Sequence, residues 1–250
     1  MNNGVRGGTA LVTGAAKRIG RAIALCLAKE GVRVVAHYAS SKAEAAGLVD
    51  ELRAEGVEAW MVGADLADPA QAEDLMEKAE AAAGSVDIIV NNAAVFPAGT
   101  LDELEAEELF RNIRINALAP FQIGRELFRR GHAGAIVNLL DARINDYDSK
   151  HVAYHLSKRM LFSLTRMMAR EFAPTVRVNA VAPGLILPPP GEDDSYLRKM
   201  ASTNPLGRWG SPQQIAEAVL FLLKNDFVTG QIIFVDGGRH MKGNFYSCQD

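Results

Sequence analysis

The stretch TALVTGAAKRIG, running from Thr9 to Gly20, decides the fold. Thr9 to Val12 is a short apolar, strand-prone run, Gly14 and Gly20 bracket a turn, and apolar residues then recur at helical spacing over 19–29. A strand that turns through glycine straight into a helix aims the first helical N–H groups at whatever lies over the turn, which favours an anion. The apolar run 32–36 follows and completes a strand–helix–strand unit. Outward from it the alternation continues, with helices expected over 43–55 and 69–82 and strands over 59–62 and 87–90. Pro69 suits a first helical turn, where its missing N–H costs nothing. Further helical patterns cover 103–118 and 120–130, a strand 135–140, and a long helix 152–172; strands 177–181 and 231–235 close the series.

Repeated alternation of this kind predicts an α/β protein: a single doubly wound, Rossmann-type domain over residues 1–250 with a mostly parallel seven-stranded sheet. The segment 187–194, with consecutive prolines and several acids, breaks the rhythm after a strand's carboxyl end. It reads either as a surface linker or as part of a substrate-covering loop over about 185–207. The formal charge of −3 is spread evenly, so no basic stripe marks a nucleic-acid partner. The opening residues lack a signal-peptide pattern and no apolar run approaches the ~18 residues of a membrane span, so a cytoplasmic location without membrane contact is expected. Cys26 falls on the buried face of a helix and Cys248 in the terminal tail, so no disulfide is expected, and no metal site.

The glycine-rich turn provides Gly14, Arg18, Ile19 and Gly20 as candidate contacts for a dinucleotide phosphate. After the second strand comes His37-Tyr38-Ala39-Ser40-Ser41. A carboxylate here would accept from a free ribose hydroxyl and repel a 2′-phosphate; none is present, while hydroxyl and imidazole donors are, with Arg18 near. NADPH is therefore the expected cofactor, bound through His37, Tyr38, Ser40 and Ser41. Ser41 reads equally well as the N-cap of the next helix. Asp65 and Leu66 fall where a side-chain oxygen and a backbone amide would hold an adenine, although Asp65 alone is as readily a turn former.

Taken together, the motifs resemble those of the short-chain dehydrogenase/reductase superfamily over essentially the whole chain. Asn91-Asn92-Ala93, Asn116 in Asn-Ala-Leu-Ala-Pro-Phe, Tyr154-His-Leu-Ser-Lys158, Asn179, Pro183-Gly184 and Asp236-Gly-Gly238 stand in its order and spacing. The resemblance implies that Asn92, Ala93, Pro183, Gly184 and Ile186 contact the cofactor, that Lys158 holds its ribose, and that Asn116 holds a water. Two departures narrow it. Arg18 stands where the superfamily has glycine, and Asp141 where it has its catalytic serine, thirteen positions before Tyr154. Both are similar to pteridine reductases, as are His37-Tyr38 and Phe96, an aromatic that in that branch stacks the pterin. Pro188 stands where many relatives of the superfamily have a threonine, and Ala94 where pteridine reductases have a serine. The resemblance also implies a homotetramer, with faces around Met160, Met167 and Met168 as candidate contacts beside a core role, and a C-terminal tail near a neighbour's active site.

Residues four apart share a helix face, so Lys158 is expected beneath Tyr154, its charge lowering a phenol pKa of ~10 toward working pH. An ionised Asp141 only accepts hydrogen bonds and repels a forming alkoxide, so a plain ketone suits it poorly. A pterin, which offers N–H donors and a C=N bond, suits it better, with Arg18, Phe96, Asp141 and Tyr154 as the substrate contacts. The expected function is NADPH-dependent reduction of a dihydropterin or dihydrofolate. A 3-oxoacyl thioester reductase is the first alternative, and a non-catalytic NADPH sensor the second.

Overall fold

The structure, a computed structural model, describes residues 5–189 and 191–241. Seven strands, β1 Thr9–Val12, β2 Arg33–Tyr38, β3 Ala59–Gly63, β4 Ile88–Asn91, β5 Gly134–Leu139, β6 Val176–Pro183 and β7 Ile232–Val235, form one sheet in the order β3-β2-β1-β4-β5-β6-β7. Every neighbouring pair is parallel, so "mostly parallel" becomes fully parallel. Parallel neighbours require crossovers, and these are α1 Arg18–Lys29, α2 Lys42–Ala54, α3 Pro69–Ala83, α4 Ala106–Ile113, α5 Ala119–Arg129, α6 Val152–Glu171, α7 Asp194–Met200 and α8 Pro212–Lys224. The side-chain period of two divides the residues of the sheet between its two faces. Ala10, Val12, Val34 and Ala36 face Ile23, Leu27, Leu48, Leu52 and Val219. Leu11 and Val35 face Leu75, Met76, Ile123, Leu127 and Met168.

Strand order reverses at β1, between β2 and β4, and the crevice outside the carboxyl ends there is where a doubly wound sheet offers a ligand site. Both motif-bearing ends, Thr13-Gly14 after β1 and Asn92-Ala93 after β4, open onto it.

Three expectations are corrected. No helix is expected between strand 177–181 and strand 231–235, yet α7 lies there and, after it, α8. Its signals are plain: Ser211 and Gln214 make a capping box, Pro212 opens the helix, and Ile215, Val219, Leu222 and Leu223 form its buried stripe. The single helix expected over 103–118 is α4 followed by a π-helical turn, Arg114–Leu118, which opens the ladder and carries Asn116. Strand β2 runs on through Tyr38, where a strand to residue 36 was expected, with His37 registered against Val62. Among the methionines, Met168 is core and Met167 is exposed. Cys26 is buried, while Cys248 and nearly all of the tail after Gly238 lie outside the described residues. No helix among the described residues is long and apolar enough to cross a membrane.

Candidate active site

The turn after β1 is held by its own Thr13 and by side chains from two other segments, Asn92 after β4 and His37 of β2. Thr13 Oγ1 accepts from the amides of Asn92 and Ala93, both at 3.0 Å. Asn92 Nδ2 in turn donates to the carbonyls of Thr13 (2.9 Å) and Gly14 (3.0 Å). Asn92, which the resemblance sets at the cofactor, thus spends both Nδ2 protons on the turn. Gly20 is obligatory, because a Cβ there would stand 2.6 Å from Asn92 Nδ2.

His37 is fully buried and has both ring nitrogens occupied. The Gly14 amide donates to Nδ1 at 3.1 Å, so Nε2 carries the proton and donates to the Ala64 carbonyl at 3.0 Å. Burial lowers its pKa, although the bond to Ala64 opposes the shift, so the ring stays neutral. The expectation that His37 donates to a phosphate is therefore corrected: no N–H is left to give.

The rim of this crevice fits a diphosphate and a 2′-phosphate. Helix α1 has no side-chain cap and no acid in its first turn, leaving its leading N–H groups to an anion. Ser41 occupies the N-cap of α2 without using its hydroxyl to cap, and Ser40 is exposed beside it. Lys17, which sequence reasoning passed over, reaches α2 and pairs with Glu44 at 2.5 Å. Asp65 adopts its turn-forming role, with Oδ1 accepting from the Ala67 amide at 2.9 Å, and the Leu66 side chain is core.

Arg18 has a φ of 56°, the left-handed region that disfavours a side chain by roughly 1 kcal/mol. It keeps the backbone shape of the glycine it replaces and sends Nη2 to the Pro188 carbonyl at 2.7 Å, tying the turn to the segment 185–207. Pro183 ends β6, and the Gly184 amide donates to Val235 O at 3.0 Å; a Cβ on Gly184 would lie 2.6 Å from Asp236 Cα. Ile186 is buried in the α1 core, and Ile19, partly buried, packs against it.

Beyond the ends of β4 and β5 stands the second cluster. Asp141 caps the short 3-10 turn Ala142–Asn145, with Oδ1 accepting from the Arg143 amide at 2.8 Å. Its other oxygen accepts from the Tyr154 hydroxyl at 3.0 Å. The turn reading and the site reading of Asp141 thus hold together. Lys158 lies one turn along α6, its Nζ 5.8 Å from the Tyr154 ring centre, and donates to the Leu139 carbonyl at 2.6 Å. With that one partner among the described residues, two of the ammonium's three protons are free.

The electrostatics correct a further expectation. Tyr154 is pushed well above the usual phenol range, first by removal from water and then by the charge and hydrogen bond of Asp141. Burial lowers Lys158 to about 8, against the pull of Asp141. Lys158 therefore does not bring the unliganded phenol toward neutrality; at neutral pH the tyrosine keeps its proton and the lysine its charge.

Phe96 lies edge-on to Tyr154, ring centres 4.6 Å apart at 89°, and stacks on His151 at 4.0 Å and 15°. His151 Nδ1 sits 3.2 Å from Asp148 Oδ2, which also pairs with Arg143 Nη1 at 2.8 Å. This support was not foreseen. The Asp148–His151 spacing is visible in sequence, but its contact with Phe96 arises because Gly99 and His151 bridge as in a parallel pair. Asn116 is pinned by Val95, its Oδ1 accepting from the Val95 amide (2.9 Å) and its Nδ2 donating to the Val95 carbonyl (3.1 Å) and Ser157 Oγ (2.9 Å). Its side chain joins the β4 loop to α6.

A family model described as enoyl-(acyl carrier protein) reductase matches residues 14–240. The chain belongs to the short-chain dehydrogenase/reductase superfamily. Within that superfamily it is similar in sequence to 3-oxoacyl-[acyl-carrier-protein] reductase FabG of Staphylococcus aureus, 36% identical over 244 residues that cover 93% of this chain and 98% of the relative. It is similar in structure to FolM alternative dihydrofolate reductase 1 of Brucella canis complexed with NADP, with a TM-score of 0.92 and 29% identity over 99% of this chain and 100% of that one. The counterpart from Brucella suis, also in complex with NADP, gives a TM-score of 0.89 and 31% identity over 96% and 98% of the two chains.

Proposed function

We propose that this chain is an NADPH-dependent reductase of pterin-type substrates, converting a dihydropterin or dihydrofolate to its tetrahydro form by reduction of a C=N bond. The observation that carries this reading is the hydrogen bond from the Tyr154 hydroxyl to Asp141 Oδ2, where relatives that reduce ketones use a serine. A carboxylate beside a forming alkoxide opposes it, whereas the N–H and amino groups of a pterin are donors that a carboxylate accepts.

In this reading the diphosphate lies over the first turn of α1, Ser40, Ser41 and Lys17 surround the 2′-phosphate, and Asp65 and the Leu66 amide face the adenine. The free protons of Lys158 serve the nicotinamide ribose. When bound, the reduced nicotinamide supplies a hydride to the electron-poor carbon of the C=N bond. Tyr154 holds its proton at working pH and delivers it to the adjacent nitrogen. Lys158 stabilises the phenolate left behind, offsetting the charge of Asp141. Phe96, covered on one side by His151, gives its other face to the flat heterocycle. Arg18 and the segment 185–207 close over the substrate, and α6 presents exposed Leu156 and Met167 to a neighbouring copy in a cytoplasmic homotetramer.

A second reading, 3-oxoacyl thioester reduction, draws on the 36% identity to FabG over nearly the full length. The two separate in one assay: NADPH oxidation with dihydrobiopterin, dihydrofolate and acetoacetyl-coenzyme A offered in parallel. Turnover of a pterin without the thioester is the expected result. Turnover of the thioester alone would replace the pterin reading by the ketoreductase one.

A further inference from the structure

Behind the turn that carries Asp141 lies a cavity of about 380 Å³, within the ~300–1,000 Å³ of ordinary small-molecule sites. Its walls are Arg143 of that turn and Asp146 just after it, Met200 ending α7 and Thr203 of the 3-10 turn that follows, and Arg239 and His240 just after β7. The cavity and the Tyr154 site share a wall, because the amide of Arg143 is the group that holds Asp141 Oδ1.

The charges of this cavity do not balance. Arg143 is already committed, Nη1 to Asp148 at 2.8 Å and Nη2 to the Tyr147 carbonyl at 2.9 Å. Asp146 leans toward Arg143 at 3.9 Å, its side chain 67% exposed. His240 is tied through its amide and Nδ1 to Asp236 at 2.6 and 2.8 Å, and stacks on Phe234 at 4.0 Å. Asp236 is buried, with both oxygens taken by the amides of Gly238 and His240 and the imidazole, so it is spent within its own turn. That leaves Arg239, half-buried in the cavity wall, whose guanidinium forms no ion pair or side-chain hydrogen bond among the described residues. A partly desolvated guanidinium with its fork of donors unused is suited to a planar or tetrahedral oxyanion.

We propose that Arg239 and this cavity form a subsite for the anionic tail of the substrate whose ring is reduced at Tyr154, a carboxylate on a folate-like substrate or a phosphate on a carrier thioester. The proposal rests on the Tyr154–Asp141 reading for the position of the reacting ring, and it separates substrates with a charged tail from simple pterins that have none.

The test is equilibrium binding by calorimetry to the full chain saturated with NADP, which prevents turnover, in wild type and Arg239→Ala. Dihydrofolate is compared with dihydrobiopterin, and acetoacetyl-coenzyme A with its neutral N-acetylcysteamine analogue. Arg239→Ala is expected to weaken dihydrofolate ~10-fold, the low end for a charge-assisted contact, and to leave dihydrobiopterin unchanged. If only the thioesters bind, the pterin reading has failed. The subsite then survives only if the variant weakens the coenzyme A ester and spares its neutral analogue, which names phosphate as the anion. Unchanged affinity for both charged compounds, or equal weakening of charged and neutral partners, overturns the subsite. Arg239→Lys, which keeps the charge, should recover part of the loss; no recovery alongside weakened NADP binding would assign Arg239 to folding instead.

Discussion

Around Gly14, the donors of His37 and Asn92 and the hydroxyl of Thr13 are each matched to a backbone group. Around Tyr154, an acid, a phenol and a lysine are crowded together, with a single carbonyl bonded to the lysine. Both clusters are polar and largely buried, at the carboxyl ends of strands in one sheet. The first has its pKa shift in the direction of neutrality, His37 being kept uncharged. The second holds a phenol that resists ionisation beside an ammonium that burial makes easier to lose. Buried groups whose hydrogen bonds are all made stabilise and position, whereas shifted groups that still hold unspent protons, as Lys158 does, are free to act on a ligand. We read the glycine turn as scaffold and the Tyr154 cluster as chemistry.

Mutations should divide along the same line. Tyr154→Phe should reduce turnover by ~10³-fold while NADPH affinity, read by fluorescence titration, stays within a factor of two; retained activity would remove the phenol from the mechanism. Lys158→Met should cost ~10²-fold in turnover. The wild-type kcat/KM should also fall as pH rises through about 8, because the charged lysine is the working form and it is lost above that value. A profile flat through that region and breaking above pH ~10 would assign the loss to tyrosine ionisation instead.

On the scaffold side, His37→Phe orphans the Gly14 amide and the Ala64 carbonyl. It should lower stability by roughly 1–3 kcal/mol in denaturant unfolding and weaken NADPH, with kcat for saturated enzyme nearly unchanged. A fall in kcat with stability intact would move His37 into the chemistry and blur the division. The smallest effect belongs to the rim, where Ser40→Asp should shift preference toward NADH by roughly tenfold, about 1.4 kcal/mol of repulsion toward the 2′-phosphate. An unmoved ratio of the two kcat/KM values would place the phosphate elsewhere.

The order of strands and helices was readable because it depends on neighbours in the chain: period, glycine punctuation and capping. Even α8, absent from the expected series, carries its capping box and apolar stripe in plain sequence. The positions of Asp141, Tyr154 and Lys158 were equally legible, since their spacing places them on one turn and one helix face.

Their electrostatics were not legible. Whether Lys158 acidifies Tyr154 or Asp141 opposes it depends on distances between groups on β5, the following turn and α6, and on how much water the fold removes. The same holds for His37, which looks like a free donor in sequence until β2 carries it against Gly14 and Ala64. It holds also for Phe96, whose backing by His151 joins segments far apart in the chain. Sequence by itself determined which residues meet at the mouth of the sheet, because local periodicity sets the elements and the parallel topology gathers their ends. Only the tertiary structure decided which of those residues are structural and which retain unspent charge, because desolvation and through-space charge are properties of the packed molecule.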